Sequence, residues 1–114
     1  EIEKNEFDLI FHHTRKFLKE KNIKYLMLTL SEMGILICDF DNYIIVPAEK
    51  REIIDVSGAG DTVISMASIC LAGNMEMKNI AVVSNLAGGL VCKKPGVVPI
   101  ERNKLYQALL NAID

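Results

Sequence analysis

Ile53-Ile54-Asp55-Val56-Ser57-Gly58-Ala59-Gly60-Asp61-Thr62-Val63-Ile64 is the stretch whose reading decides the fold. An apolar, β-favouring run gives way to small residues, and these open onto a long apolar segment. From about Gly60 to Leu71, the residues Val63, Ile64, Met66, Ala67, Ile69, Cys70 and Leu71 fall on nearly all sides of a 3.6-residue period, which predicts a central helix surrounded by protein. Small residues let main-chain amides come close to a ligand. The first amides of a helix have no internal partner, and the helix dipole adds about half a positive charge at that end, so an anion such as a phosphate fits there. The loop is not a Walker A motif, because no Lys-Ser or Lys-Thr follows it, and not a dinucleotide fingerprint, because Val63 stands where the third Gly would be. An ionised Asp61 in the first turn would repel a phosphate unless it served the incoming nucleophile, accepting the proton of an attacking hydroxyl. A tight turn with an acidic residue favourably placed on the helix dipole explains the same residues equally well.

Upstream of this turn, Phe7, Ile10, Phe11, Thr14, Phe17 and Leu18 recur at three- and four-residue intervals, with Lys16, Lys19, Glu20 and Lys21 off the stripe. This predicts an amphipathic first helix ending at Asn22. Ile23 to Leu30 reads as a buried strand. The runs Ile35-Leu36-Ile37-Cys38 and Tyr43-Ile44-Ile45-Val46 flank Asp39-Phe40-Asp41-Asn42, which predicts a β-hairpin ended by Pro47. Downstream, Gly73 suits a helix C-cap, and Asn74 is placed to cap a further helix carrying Met77, Ile80, Ala81, Val83, Ser84, Ala87 and Leu90. Gly88-Gly89 weakens that helix by roughly 1 kcal/mol per Gly relative to Ala, so a close approach of backbone to a neighbour or ligand is expected there. Glu101 to Ile113 closes the chain with a helix whose stripe is Leu105, Ala108, Leu109 and Ala112. The assembly is an α/β layer.

The 114 residues are 50% hydrophobic and 25% charged with no Trp, which places the chain among single globular domains. No apolar run approaches the roughly 18 residues a spanning helix needs, so no membrane crossing is expected. Thirteen basic against fifteen acidic side chains give a net charge of -2, which argues against nucleic-acid and anionic-membrane partners. Cys38, Cys70 and Cys92 are odd in number, widely spaced and set among apolar neighbours. They read as reduced thiols of a cytoplasmic protein. His12 and His13 point about 100° apart on a helix and cannot form a metal pair. Lys93 and Lys94 are accounted for by the C-terminal helix dipole. The first residue is Glu1, with no leader pattern after it, so the chain is expected to be an excised part of a larger protein.

Asp55-Val56-Ser57-Gly58-Ala59-Gly60-Asp61-Thr62 resembles the C-terminal signature of the ribokinase-like, phosphofructokinase-B type carbohydrate kinases. The order of elements is similar to that family over nearly the whole chain: a strand, Thr29-Leu30-Ser31-Glu32-Met33-Gly34, a hairpin, the signature loop, a buried helix, a second helix with Asn85, and a Lys-Pro-Gly stretch. Within the family, Ser31 and Met66 look most like the heptose-7-phosphate kinase branch found in bifunctional ADP-heptose synthases.

The resemblance implies the C-terminal third of a three-layer α/β/α ribokinase-like domain, with residues 1–114 forming its ATP-binding, base-bearing part. It makes Asp61 the catalytic base and the amides of Gly58, Ala59 and Gly60 the anion hole. It places Thr29, Ser31, Glu32, Gly34 and Asn85 beside the nucleotide, and Asp55 and Ser57 at a monovalent-cation (K+) site. The implied co-substrate is ATP with Mg2+. The implied acceptor is a sugar phosphate, D-glycero-β-D-manno-heptose 7-phosphate, on the route to ADP-heptose and the lipopolysaccharide core. The resemblance also implies a homo-oligomer. Val97 departs from the family pattern, since many relatives carry a hydroxyl residue there. The sugar pocket and the acidic magnesium motif are not in this sequence, so the isolated chain is expected to lack turnover. Another sugar or nucleoside kinase, or a non-catalytic nucleotide-binding module, is the alternative. Both Gly58→Val and Gly60→Val are expected to harm nucleotide binding or folding.

Overall fold

The computed structural model describes residues 4–30, 33–48 and 56–112. Helix α1 spans Lys4–Lys21, and strands β1 (Leu26–Thr29), β2 (Ile35–Cys38) and β3 (Tyr43–Val46) follow it. Helices α2 (Ala59–Ala72), α3 (Met77–Val91) and α4 (Arg102–Ala112) complete the chain.

The three strands form an antiparallel sheet in the order β1-β2-β3. Cross-strand register puts Met27, Ile37 and Ile44 in one row, and Leu28, Leu36 and Ile45 in the next. Because side chains alternate between faces of a strand, these rows go to opposite sides of the sheet. Ile35 and Ile37 join Val63, Ala67, Cys70, Ile80 and Ala81 in the core beneath α2 and α3. Leu36 and Cys38 join Leu18 on the other side, with Phe7, Ile10, Phe11 and Tyr43 packed around them. The chain is therefore three layers, α1 over the sheet over α2 and α3. All four residues of β2 are buried, as expected of a central strand covered on both faces.

Local chemistry fixes the connections. The hairpin turn is held by the Asp39 carboxylate, which accepts from the amides of Asp41 at 2.8 Å and Asn42 at 2.7 Å. This is the Asx arrangement expected of Asp at a turn. Asn22 closes α1 in the left-handed conformation (φ 54°), and the Ile23 amide reaches back to the Leu18 carbonyl at 2.9 Å. Asn74 repeats this device at the end of α2, with φ 60° and a Met75 amide to Cys70 carbonyl bond of 3.0 Å. Asn74 thus ends one helix instead of starting the next, whose N-cap is Glu76 without a side-chain capping bond. Left-handed Asn is tolerated because its short polar side chain bonds locally, and that use outcompetes the N-cap read from the sequence.

Two burial patterns differ from the sequence expectation. Phe17 is 45% exposed, because it lies about 80° around α1 from Phe7 and outside the stripe that meets the sheet. In α2 only Val63, Ala67 and Cys70 are buried. Ile64 (57% exposed), Ile69 (67%) and Leu71 (47%) face away from the protein. The spacing i, i+4, i+7 selects the stripe that α3 covers, so among the described residues α2 is flanked on one side only.

Specific polar contacts pin α1 to the sheet. The Tyr43 hydroxyl donates to Asp8 at 2.6 Å, and its ring lies 4.9 Å from that of Phe11. The Cys38 thiol donates to the Thr14 hydroxyl at 3.5 Å. Burial pushes the Cys38 and Cys70 thiols up, which keeps them protonated and unreactive. Cys92 is half-buried just after α3, and no disulfide joins the three cysteines.

Candidate functional site

Gly58 is the N-cap of α2 and sits in the left-handed region, φ 75° and ψ -1°. Glycine adopts that conformation without strain, whereas most side chains other than Asn or Asp do not. A Cβ at this position would also lie 3.1 Å from Cγ1 of Val97. The left-handed residue turns the chain so that Thr62 can donate to the Gly58 carbonyl at 3.0 Å and the helix begins. Its N-cap residue, a glycine, supplies no side-chain capping bond. The amides of Gly60 and Asp61 belong to the first turn, where no carbonyl of the helix itself is available to them. The Ala59 amide differs, because it donates to the Val56 carbonyl at 3.2 Å. Of the three amides expected to cradle an anion, that of Ala59 is already engaged in the turn. Asp61 is exposed in the first turn of α2, with its carboxylate at the positive end of the helix dipole.

Gly60 stands apart from its neighbours. A Cβ built there meets nothing within 4 Å, so among the described residues no atom requires a glycine. Crowding or strain within the protein therefore supports the expectation for Gly58→Val but not for Gly60→Val.

Two of the residues expected beside the nucleotide, Gly34 and Asn85, meet the segment that leaves β3. Gly34, with φ +98°, is pressed against the chain leaving β3: a Cβ would fall 2.0 Å from the Val46 carbonyl oxygen and 2.6 Å from the Ala48 nitrogen. Asn85 on α3 donates its Nδ2 to the Pro47 carbonyl at 3.0 Å. Three residues further along α3, about 4.5 Å of axial rise, Gly88 touches the start of α2. A Cβ there would sit 2.7 Å from Val63 Cγ2 and 3.8 Å from the Ala59 carbonyl oxygen. This is the close approach anticipated for the glycine pair, and its partner is a helix. Helix α3 thus meets the segment after β3 through Asn85 and the start of α2 through Gly88. Thr29 is exposed at the end of β1, opposite Ile35. Ser31, Glu32 and Asp55 lie outside the described residues. Ser57 is exposed next to Gly58.

Residues 4–103 match the pfkB family carbohydrate kinases. The chain belongs to this family. It is 35% identical over 100 residues to the bifunctional protein HldE of Koribacter versatilis, covering 88% of this chain and 21% of that protein. It is 42% identical over 81 residues to the bifunctional protein HldE of Campylobacter curvus, covering 71% and 17%. Among solved structures, phosphofructokinase-2 of Escherichia coli with potassium superposes at TM-score 0.80 and 18% identity, over 96% of this chain and 35% of that one. Ribokinase of Arabidopsis thaliana with ribose and ATP gives TM-score 0.71 at 18% identity, over 76% and 29%. The E. coli ribokinase II complex with ATP and Mg2+ gives 0.74 at 17%, over 81% and 30%. The chain thus spans about a fifth of the curated relatives and about a third of the solved kinases, and the three-layer arrangement is the ribokinase-like fold.

Other features of the surface are accounted for without a ligand. Lys94 pairs with Glu101 at 2.6 Å, and Lys104 approaches the same carboxylate at 3.5 Å. The Lys94 ammonium holds Glu101 below the usual carboxylate range, so an acid at the start of α4 engages this cation, a partner beyond the helix-dipole account. The Val97 contact with Gly58 had no signal in the sequence beyond the residue's departure from the family pattern. His12 and His13 are both exposed. Among the described residues no group of three His, Cys, Asp or Glu side chains stands where a metal ion could be held, and no helix is long and apolar enough to cross a membrane.

Proposed function

We propose that this chain is the nucleotide-facing, base-bearing part of an ATP-dependent sugar kinase domain, acting on the anomeric hydroxyl of a heptose 7-phosphate. The observation that supports the kinase reading is the double engagement of α3, whose Asn85 bonds to the Pro47 carbonyl beside Gly34 and whose Gly88 lies against Val63 and the Ala59 carbonyl at the start of α2. The HldE relatives support the heptose substrate.

In this reading the amides of Gly58, Gly60 and Asp61 hold the oxygens of the terminal phosphate, and the open space at Gly60 is where they approach. The Asp61 carboxylate takes the proton of the sugar hydroxyl as its oxygen attacks the γ-phosphorus. The bond from that phosphorus to the bridging oxygen breaks, and ADP leaves with the electron pair. The residues present fit a phosphate group, with a glycine turn at a helix start whose N-cap residue offers no side chain of its own. A divalent cation carried by the nucleotide would neutralise phosphate charge during the transfer. Ser57 and Asp55 are the residues proposed for a monovalent cation.

The test is Asp61→Asn in the full-length protein. Turnover falls by roughly 10²- to 10⁴-fold, while ATP affinity changes by no more than a few-fold, because a base acts mainly in the transition state. Near-normal turnover in this variant overturns the role of Asp61.

A further inference from the structure

Val97 is 78% exposed, so its side chain contributes little to the core, yet it is the neighbour that meets Gly58. A Cβ at Gly58 would lie 3.1, 3.6 and 3.7 Å from Val97 Cγ1, Cγ2 and Cβ. All three branching carbons of one valine thus stand on the side of the turn where glycine lacks a side chain. Gly58 needs that lack to hold φ 75°, and the same freedom lets it leave that conformation easily. A β-branched side chain has one strongly preferred rotamer in many backbone settings, so it is a stiff object to place against a flexible turn.

We infer that Val97 is a positioning residue for the phosphate-binding turn, bracing Gly58 in its left-handed conformation from outside so that the first-turn amides of α2 stay aimed at the incoming phosphate. This inference rests on the kinase reading of that turn. A hydroxyl residue at this position is not needed for the bracing. What matters is the branched shape, which Thr shares with Val and which Ala and Gly lack. Because Val97 acts through the turn and touches no reacting atom, its loss affects how well nucleotide is held and leaves the chemical step intact.

The experiment uses the full-length protein with ATP and its sugar acceptor, comparing Val97→Ala and Val97→Thr with the parent. Val97→Ala raises the KM for ATP roughly three- to ten-fold with kcat within about two-fold, and its Tm stays within about 2 °C because the side chain is exposed. Val97→Thr restores the KM to within about two-fold of the parent. An unchanged KM in Val97→Ala overturns the inference. So does a Val97→Thr variant as impaired as Val97→Ala, or a loss of KM and kcat together with a large fall in Tm. Asp61→Asn run alongside separates the two levels. If it abolishes turnover while Val97→Ala behaves as the parent, only the bracing role fails. If Asp61→Asn turns over normally, the kinase reading of the turn fails and the inference falls with it.

Discussion

The turn after β1 and the turn before α2 both depend on small residues, and the protein around them treats their glycines differently. At Gly34 the chain leaving β3 passes so close that a Cβ would overlap the Val46 carbonyl oxygen, at 2.0 Å. At Gly60 a Cβ would meet nothing within 4 Å, and the backbone there is ordinary helix. The first glycine is required by the protein itself. The second is required by nothing in the described protein, so only the proposed anion would call for smallness there. Gly58 lies between the two cases, with a left-handed backbone and a single side chain, Val97, against it.

The contrast predicts a graded series of stability losses. Gly34→Ala, with the backbone of residues 46–48 pressed against it and φ +98°, loses more than about 3 kcal/mol in urea unfolding. A midpoint close to the parent would show that the β3 exit does not crowd this turn. Gly88→Val comes next, at roughly 1–3 kcal/mol, because Val63 Cγ2 is 2.7 Å from the added carbon but is a side-chain atom that gives way in part. A neutral result would mean that α2 and α3 separate without cost. Gly58→Ala loses about 1–2 kcal/mol from forcing a side chain into the left-handed region. Part of that loss returns when Val97→Ala is combined with it, since the two positions touch and do not behave independently. Strict additivity would deny the contact.

The fold was legible where local pattern and tertiary contact agree. The alternation Ile35, Leu36, Ile37, Cys38 names both faces of β2, and Asp39 names its turn. Reading failed where a residue had two local uses or where burial depended on the neighbours available. Asn74 suits an N-cap and a left-handed helix end equally well by composition, and only the Met75 to Cys70 bond decides between them. Ile64, Ile69 and Leu71 read as buried, yet α3 covers only the stripe of Val63, Ala67 and Cys70. That a helix starts at the candidate site was legible from the Gly58–Asp61 string alone. Its internal division was not: the Ala59 amide engaged with Val56, the Asn85 side chain bonded to Pro47, and Val97 set against Gly58 all arise from contacts that sequence spacing does not encode.

The central claim is that the start of α2 is shaped for an anion outside the described protein, and Gly60→Ala in the full-length protein tests it most directly. Alanine favours a helix over glycine by about 1 kcal/mol, and the site is open, so thermal stability should be unchanged or slightly raised. The dissociation constant for ATP, measured by calorimetry on the same sample, should rise by roughly ten-fold or more as the added methyl group blocks the approach of phosphate oxygens. A stable Gly60→Ala protein that binds ATP as tightly as the parent would contradict the account.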